Sequence, residues 1–400
     1  MNLGAGQTRS VDQAQEDLQL LFRLDGIRRE ERFIKAKEWF KTEGALSWFE
    51  EARDMIAPTS SGYRPEVSLL FSYLEMAASL FHRGVPNVEL FTGFLNDMLL
   101  LWSRMEKYVD YVRHDLNLPD FLINVEKVAR SMPEKLERIR RLDEAEIRSQ
   151  LLQRAEAYLQ TAWMRSSEER KAILHDYEAI CLHTLLSIAG ICNLELAARY
   201  VIDNKLRGSY VECGIWQGGS VSYWARSFLR NGGNPEHTRI FGFDAFQGMP
   251  RMTAADGEAA SQLLYNKRPE DVPDSLADGA LLPPNPSTAS AAACRAVVEA
   301  SGFPKQQIHI IQGWFQDTLA HSKDQIGAIA VLRLDADFYD ATKVCLTSLY
   351  DNVMPRGMII IDDYELFPGC RLAVDEFLET AGMNIQLIYY GEYGRFFMKP

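Results

Sequence analysis

From Arg207 to the C-terminus, short and almost uninterrupted apolar runs alternate with amphipathic segments, and this limits the fold more than any other feature of the chain. GSYVECGIW, RIFGFDAF, QIHIIQGWF, IGAIAVLRLDADFY and MIIIDDY are apolar runs of strand length, and the polar residues of interest sit at their ends. A strand with one face in water alternates polar and apolar residues, so a continuous apolar run needs cover on both faces. Between the runs, GSVSYWARSFLRNG, STASAAACRAVVEASG, ATKVCLTSLYDNVMPRG and GCRLAVDEFLETAG carry helical spacing, the first closed by Asn231-Gly232-Gly233 and the third by Pro-x-Gly. NIQLIYY and GRFFMK end the chain as two more strands. The pattern predicts an α/β fold with a seven-stranded, mostly parallel sheet and helices on both faces.

Ligands of such sheets bind beyond the carboxyl ends of the strands. The first strand and its turn supply Glu212, Gly214, Gly218, Gly219 and Ser220 in VECGIWQGGS. Glycine there lets backbone approach a ligand, but the spacing departs from GxGxxG and lacks the GK[ST] of a P-loop. The second strand ends at Asp244, an acid able to accept hydrogen bonds from both ribose hydroxyls of an adenosine. The fourth and fifth strands end at Asp335 and at the pair Asp362 and Asp363. If those strands are neighbours, three carboxylates surround one point and raise one another's pKa. A hard divalent cation relieves this, Mg²⁺ best, with Mn²⁺ or Ca²⁺ as alternatives. Strand alternation sends Asp362 and Asp363 to opposite faces, so both serve one site only if the chain turns within YELFPG. The competing reading is exposed strand-end acids, or acids paired to Arg333, Arg371 or Lys343. No Cys or His cluster accompanies them, which argues against a thiolate zinc site.

The first half reads differently. From about Leu18 to Tyr200 amphipathic helices follow one another, separated by stretches such as APTSSGYRP and RGVP. PEKLERIRRLDEAEIRSQLLQRAEAYLQTAW is a long, charged helix, and RSSEER marks a boundary near Ser166. His82 and His114 have no partners at metal-ligand spacing, and Trp39, Phe40, Trp48 and Phe49 read as core or interface. This half shows no chemistry; oligomerisation, partner binding or a wall for the site are its plausible jobs. The net charge of −12 argues against nucleic-acid and anionic-membrane binding. The longest apolar runs are too short to span a bilayer, and no apolar leader is visible at the N-terminus. Six cysteines without CxxC spacing read as reduced core thiols of a cytoplasmic protein.

The blocks VECGIWQGGS, FDAFQGMP, GWFQDTL, LRLDADFYDAT and IIIDDYELFPGCRLAVDEF, in that order and spacing, closely resemble the macrocin (TylF/MycF-type) O-methyltransferases, from roughly Leu182 to the C-terminus. The resemblance implies a Rossmann-like class I methyltransferase fold, S-adenosylmethionine and Mg²⁺ as cofactors, and methylation of a hydroxyl on a small natural-product acceptor, typically a deoxysugar. It implies Glu212 and Gly214 at the methionine end of the cofactor, Asp244 at the ribose, and Gln312, Gly313 and Trp314 near the adenine, with Ser220 a further cofactor-binding residue. It makes Asp335, Asp362 and Asp363 the metal ligands; the expected base is Asp335, through its metal-bound position, with Asp337 nearby as the alternative. The expected organisation is a disordered tail over 1–16, an all-helical accessory domain over 17–166 and a methyltransferase domain over 167–400, with a lid insertion at about 247–304. The middle of the first half, roughly 35–130, also resembles a small bacterial helical domain of unknown function. A homo-oligomer is expected, because the broad apolar helix faces need cover. Two other functions compete. One is methylation of a catechol-like diol, although that class often carries a lysine shortly after its first metal aspartate and this chain has Ala336, Asp337, Phe338 and Tyr339. The other is a scaffold that kept the fold and lost turnover.

Overall fold

A computed structural model describes residues 19, 24, 27, 30–41, 65–82, 88–106, 109–114, 118–161, 166–258, 260–261, 280–281 and 289–400. The chain divides into two units, Met1–Ile147 and Arg148–Pro400. The expected tail at 1–16, and Trp48 and Phe49, lie outside the described residues.

In the first unit the regular elements among the described residues are helices: α1 (Glu31–Lys41), α2 (Pro65–His82), α3 (Val88–Met105), α4 (Val109–His114), α5 (Ile123–Ser131) and the start of α6 (Pro133–Thr161). Their apolar faces meet around Phe33, Tyr73, Phe94, Trp102 and Val125, and Phe40 joins this core as its spacing suggested. The Tyr73 hydroxyl, buried there, donates to the Leu24 carbonyl at 2.9 Å. Leu122 cannot cap α5, so Glu75 accepts from the Asn124 and Val125 amides instead, at 2.8 and 3.0 Å.

The division falls inside α6, upstream of the expected boundary at Ser166. Ala155 and Leu159 of α6 are buried in the core of the second unit, so its folded body begins before residue 167. From Ser166 the polar stretch is a helix start: Ser166 and Glu169 form a capping box on α7 (Ser167–Glu178).

The second unit is built on one sheet. Its strands are β1 (Ser209–Cys213), β2 (Ile240–Asp244), β5 (Ile308–Gln312), β6 (Ile329–Leu334), β7 (Val353–Ile361), β8 (Ile388–Tyr390) and β9 (Gly394–Met398), in the order β5-β2-β1-β6-β7-β9-β8. The first five are parallel. β9 runs antiparallel to β7, and β8 to β9, so the sheet is mixed. The reason is the connection: three residues separate β8 from β9, enough for a hairpin and too few for a crossover. Side chains alternate across the sheet. Tyr210, Ile240 and Ile360 pack under α7, α8 (Ile188–Asp203), α9 (Gly219–Arg230) and α10 (Ala291–Glu299). Val211, Phe241 and Ile359 pack under α11 (Phe315–Ile326), α12 (Tyr339–Leu349) and α13 (Pro368–Thr380). All six cysteines are free and buried. Of the expected lid, residues 247–258, 260–261, 280–281 and 289–304 are described, with a two-residue antiparallel ladder between β3 (Met249–Pro250) and β4 (Ala280–Leu281), a turn at Ala254–Asp256 and α10; the other lid residues lie outside the described ones. No helix among the described residues is long and apolar enough to cross a membrane.

Candidate active site

The parallel ladder continues one residue beyond the strands and lines up their ends. The Gly214 amide donates to Phe243, Asp335 to Cys213, Asp362 to Leu334 and Gly313 to Asp244, at 2.8 to 2.9 Å. Gly214 has φ +87°, and a Cβ there would stand 1.8 Å from the Asp335 carbonyl oxygen. Only glycine allows the turn after β1 to pass this close to the end of β6.

Asp244 ends β2 beneath that turn. One carboxylate oxygen accepts the Ile215 and Trp216 amides at 3.0 and 2.8 Å, and the other accepts Phe246 at 2.7 Å. Burial raises its pKa; these three amides oppose the rise without cancelling it. The acid therefore shapes the glycine turn, and Trp216 takes a left-handed φ of +43° above it. A carboxylate has about four acceptor positions, so capacity for a ribose hydroxyl remains. Gln312 is opposite Asp244 in register and is exposed, while Gly313 and Trp314 are half-buried at the end of β5.

Glu212 is fully buried in β1, and both of its oxygens are taken. One accepts Ser220 Oγ at 2.5 Å and Arg333 Nη1 at 2.6 Å; the other accepts the Tyr210 hydroxyl at 2.5 Å. Ser220 and Glu212 thus hold each other and the start of α9 in place. Arg333 lies beside Glu212 in register, 1% exposed, and also touches Asp335 at 3.0 Å and Asp362 at 2.8 Å. One guanidinium binds three carboxylates. Sequence reasoning named Arg333 only as a competing partner; the stronger signal was an arginine inside the apolar run AVLRLD, where a charge persists only if paired.

The carboxylates at the ends of β6 and β7 divide into two sets. Asp362 faces Arg333 and accepts the Tyr390 hydroxyl at 2.7 Å. Asp363 points the other way, as strand alternation requires. The chain turns just after it, with the Leu366 and Phe367 amides on the Asp363 carbonyl at 3.1 and 3.0 Å. The Asp363 side chain is 7% exposed, and its Oδ2 is buried with no hydrogen-bond partner. Asp337 has φ +55°, a left-handed conformation that costs roughly 1–2 kcal/mol for a residue with a side chain. In that conformation it joins the group: one oxygen from each of Asp335, Asp337 and Asp363 lies within 4.8 Å of the others. Among the described residues, this is the one such cluster of His, Cys, Asp or Glu. The sequence expectation put Asp362 in this set; its carboxylate is turned to Arg333 and Tyr390, and Asp337 stands in the cluster instead.

Burial and repulsion from Asp362 push the Asp337 carboxyl up to about 7, against a hydrogen bond with Asp363 that acts the other way. Burial, then the neighbouring aspartates, push Asp363 well above the usual carboxylate range. Asp335 moves the same way through desolvation, with Arg333 opposing. Three carboxyls with too little positive charge nearby can share protons or hold a cation. All-oxygen donors, and a buried carboxylate oxygen without a partner, fit a hard divalent ion of the Mg²⁺ type.

Comparison with known proteins places the chain in a family. The profile of the macrocin-O-methyltransferase (TylF) family matches residues 120–399, and that of a domain of unknown function (DUF4760) matches residues 13–132. The chain is 29% identical to the mycinamicin III 3''-O-methyltransferase of Micromonospora griseorubida over 55% of its own length and 80% of that protein's. It is 31% identical to the 8-demethyl-8-(2,3-dimethoxy-alpha-L-rhamnosyl)-tetracenomycin-C 4'-O-methyltransferase of Streptomyces olivaceus, covering 50% of this chain and 70% of that one. The solved structure of the O-methyltransferase NovP is similar at 27% identity with a TM-score of 0.45, covering 54% of this chain and 82% of that one. A profile match over well more than half of the chain is decisive: this protein belongs to the macrocin-O-methyltransferase (TylF) family.

Proposed function

We propose that the protein moves the methyl group of S-adenosylmethionine to a hydroxyl on a sugar of a glycosylated natural product, with a divalent cation at the carboxylate cluster. The observation that carries this reading is the convergence of Asp335, Asp337 and Asp363 beside the glycine turn of β1, in a chain of this family. The rhamnosyl acceptor in the name of the Streptomyces olivaceus relative supports the sugar.

The cofactor would lie over the turn 214–218, with its ribose toward Asp244 and its adenine toward Gln312, Gly313 and Trp314. Asp335, Asp337 and Asp363 would hold Mg²⁺, which when bound supplies the Lewis acidity that makes a sugar hydroxyl easier to deprotonate. Asp337, whose carboxylate stands beside Asp335 and Asp363, is the group to take the hydroxyl proton. The acceptor oxygen forms its bond to the methyl carbon as the carbon–sulfur bond breaks, and the electron pair leaves with S-adenosylhomocysteine. Arg333 ties Glu212, Asp335 and Asp362 to one guanidinium, so the strand ends need not reorganise during the step.

The test uses S-adenosylmethionine labelled in its methyl group and a panel of rhamnosylated aglycones, free aglycones and catechols. Label in the sugar of a rhamnosylated compound, with one S-adenosylhomocysteine per transfer, supports the reading. Label in catechols alone would replace it with the diol function.

A further inference from the structure

We propose that Asp256 is a positioning residue that sets the geometry of the carboxylate cluster from the segment beyond β2; this rests on the cluster being the site of methyl transfer. Asp256 lies past Asp244 in the turn Ala254–Asp256 and is fully buried. Its Oδ1 accepts the Tyr339 amide at 2.6 Å, and its Oδ2 accepts the Thr253 amide at 2.6 Å and the Thr253 hydroxyl at 3.1 Å. Tyr339 is the first residue of α12, two residues after Asp337. Phe338, at the N-cap of α12, makes no side-chain cap, so the cap comes from a residue distant in sequence.

The same carboxylate abuts the start of α13. A Cβ on Gly369 would stand 2.1 Å from Asp256 Oδ1 and 3.0 Å from the Tyr339 nitrogen. α13 also starts behind a phenylalanine, Phe367, with no side-chain cap. Phe338 and Phe367 pack edge to face with ring centroids 5.8 Å apart, and Ala260, Met249 and Met252 belong to the same core cluster. One carboxylate therefore stands where two helix N-termini converge, a favourable place for negative charge. Those helices begin directly after the two loops that carry Asp335, Asp337 and Asp363. The left-handed backbone at Asp337 is fixed on its C-terminal side by the helix that Asp256 caps. Through this contact, order in the segment after β2 is transmitted to the acids.

The test compares the full chain with Asp256→Asn, Asp256→Ala and Glu376→Gln, the last an exposed partner of α12 outside the cluster. Three quantities are read: S-adenosylmethionine affinity by calorimetry, Mn²⁺ affinity by electron paramagnetic resonance, and amide exchange of the peptides covering 335–341. Asp256→Ala should weaken Mn²⁺ binding by about tenfold or more, as loss of a supporting contact to metal ligands does. It should also speed exchange at 335–341 and leave S-adenosylmethionine affinity unchanged. Asp256→Asn, whose amide oxygen can still accept from Tyr339, should fall in between and carries the test if the alanine variant does not fold. Glu376→Gln should match the wild type. Wild-type Mn²⁺ affinity and exchange in a folded Asp256→Ala would overturn the proposal, as would equal loss of cofactor and metal binding. If the wild type binds no Mn²⁺, the metal reading fails instead, and local exchange alone decides the role of Asp256.

Discussion

Arg333 decides how the strand-end acids are used. It reaches Glu212, Asp335 and Asp362, which leaves Asp337 and Asp363 with surplus negative charge and gives adjacent aspartates different work. Gly214 sets the distance between the turn after β1 and this cluster. Gly214→Ala should cost roughly 1–2 kcal/mol through its left-handed backbone alone. The contact of the new methyl group with the Asp335 carbonyl should add to this and displace Asp335. A thermal melt and a cofactor titration check it: both should deteriorate, and an unchanged melt would mean that the turn relaxes freely. At this scale the sequence showed which residue types gather at the strand ends, because apolar runs stop there. It did not show which acids meet, because that depends on the rotation of β7, the left-handed backbone of Asp337 and the reach of one arginine from the adjacent strand.

Helices α7, α8 and α9 are joined by a buried ionic network that the apolar pattern concealed. Glu195 of α8, 1% exposed, accepts Arg230 Nη2 at 2.6 Å, Ser227 Oγ at 2.6 Å and Asn231 Nδ2 at 3.1 Å, while Arg230 Nε also binds Asp176 of α7 at 2.7 Å. Burial alone would raise the Glu195 pKa; the hydrogen bonds from Arg230, Ser227 and Asn231 and the Arg230 charge outweigh it and hold the carboxyl below its ordinary value of 4.5. A depressed folded-state pKa means that the stabilisation is complete above the ordinary value and is lost as pH falls through the folded one. Glu195→Ala should therefore destabilise by about 3 kcal/mol at neutral pH, since it leaves a buried guanidinium short of a partner. The difference from the wild type should shrink steadily below pH 4.5. Denaturant melts at several pH values check this, and a gap that stays constant down to acid pH would deny Glu195 its role. The strands and helices themselves were legible from period and punctuation. The mixed sheet was not, since the direction of β8 and β9 follows from a short hairpin loop rather than from their composition.

For the whole molecule, the expected boundary at residue 166 fell too late because a polar stretch can be a helix cap as readily as a linker. Ala155 and Leu159 of α6 are buried with Ile173, Ile191 and Trp224 in the second unit. A chain starting at Ser167 should then lose cooperative melting or aggregate, whereas one starting at Pro133 should keep a cooperative transition and bind S-adenosylmethionine. Equal behaviour of the two would remove α6 from the second unit's core. Family, fold and cofactor class were readable because five motif blocks in fixed order encode one sheet edge; the charge balance there emerged only with Arg333 and Asp337 in place. The measurement closest to the central claim is methyl transfer to a rhamnosylated acceptor after exhaustive chelation. Transfer should stop in excess EDTA, return with Mg²⁺, and stay absent in Asp363→Asn whatever the metal concentration, with S-adenosylmethionine still bound throughout. Full transfer in EDTA, or a fully active Asp363→Asn, would contradict the account.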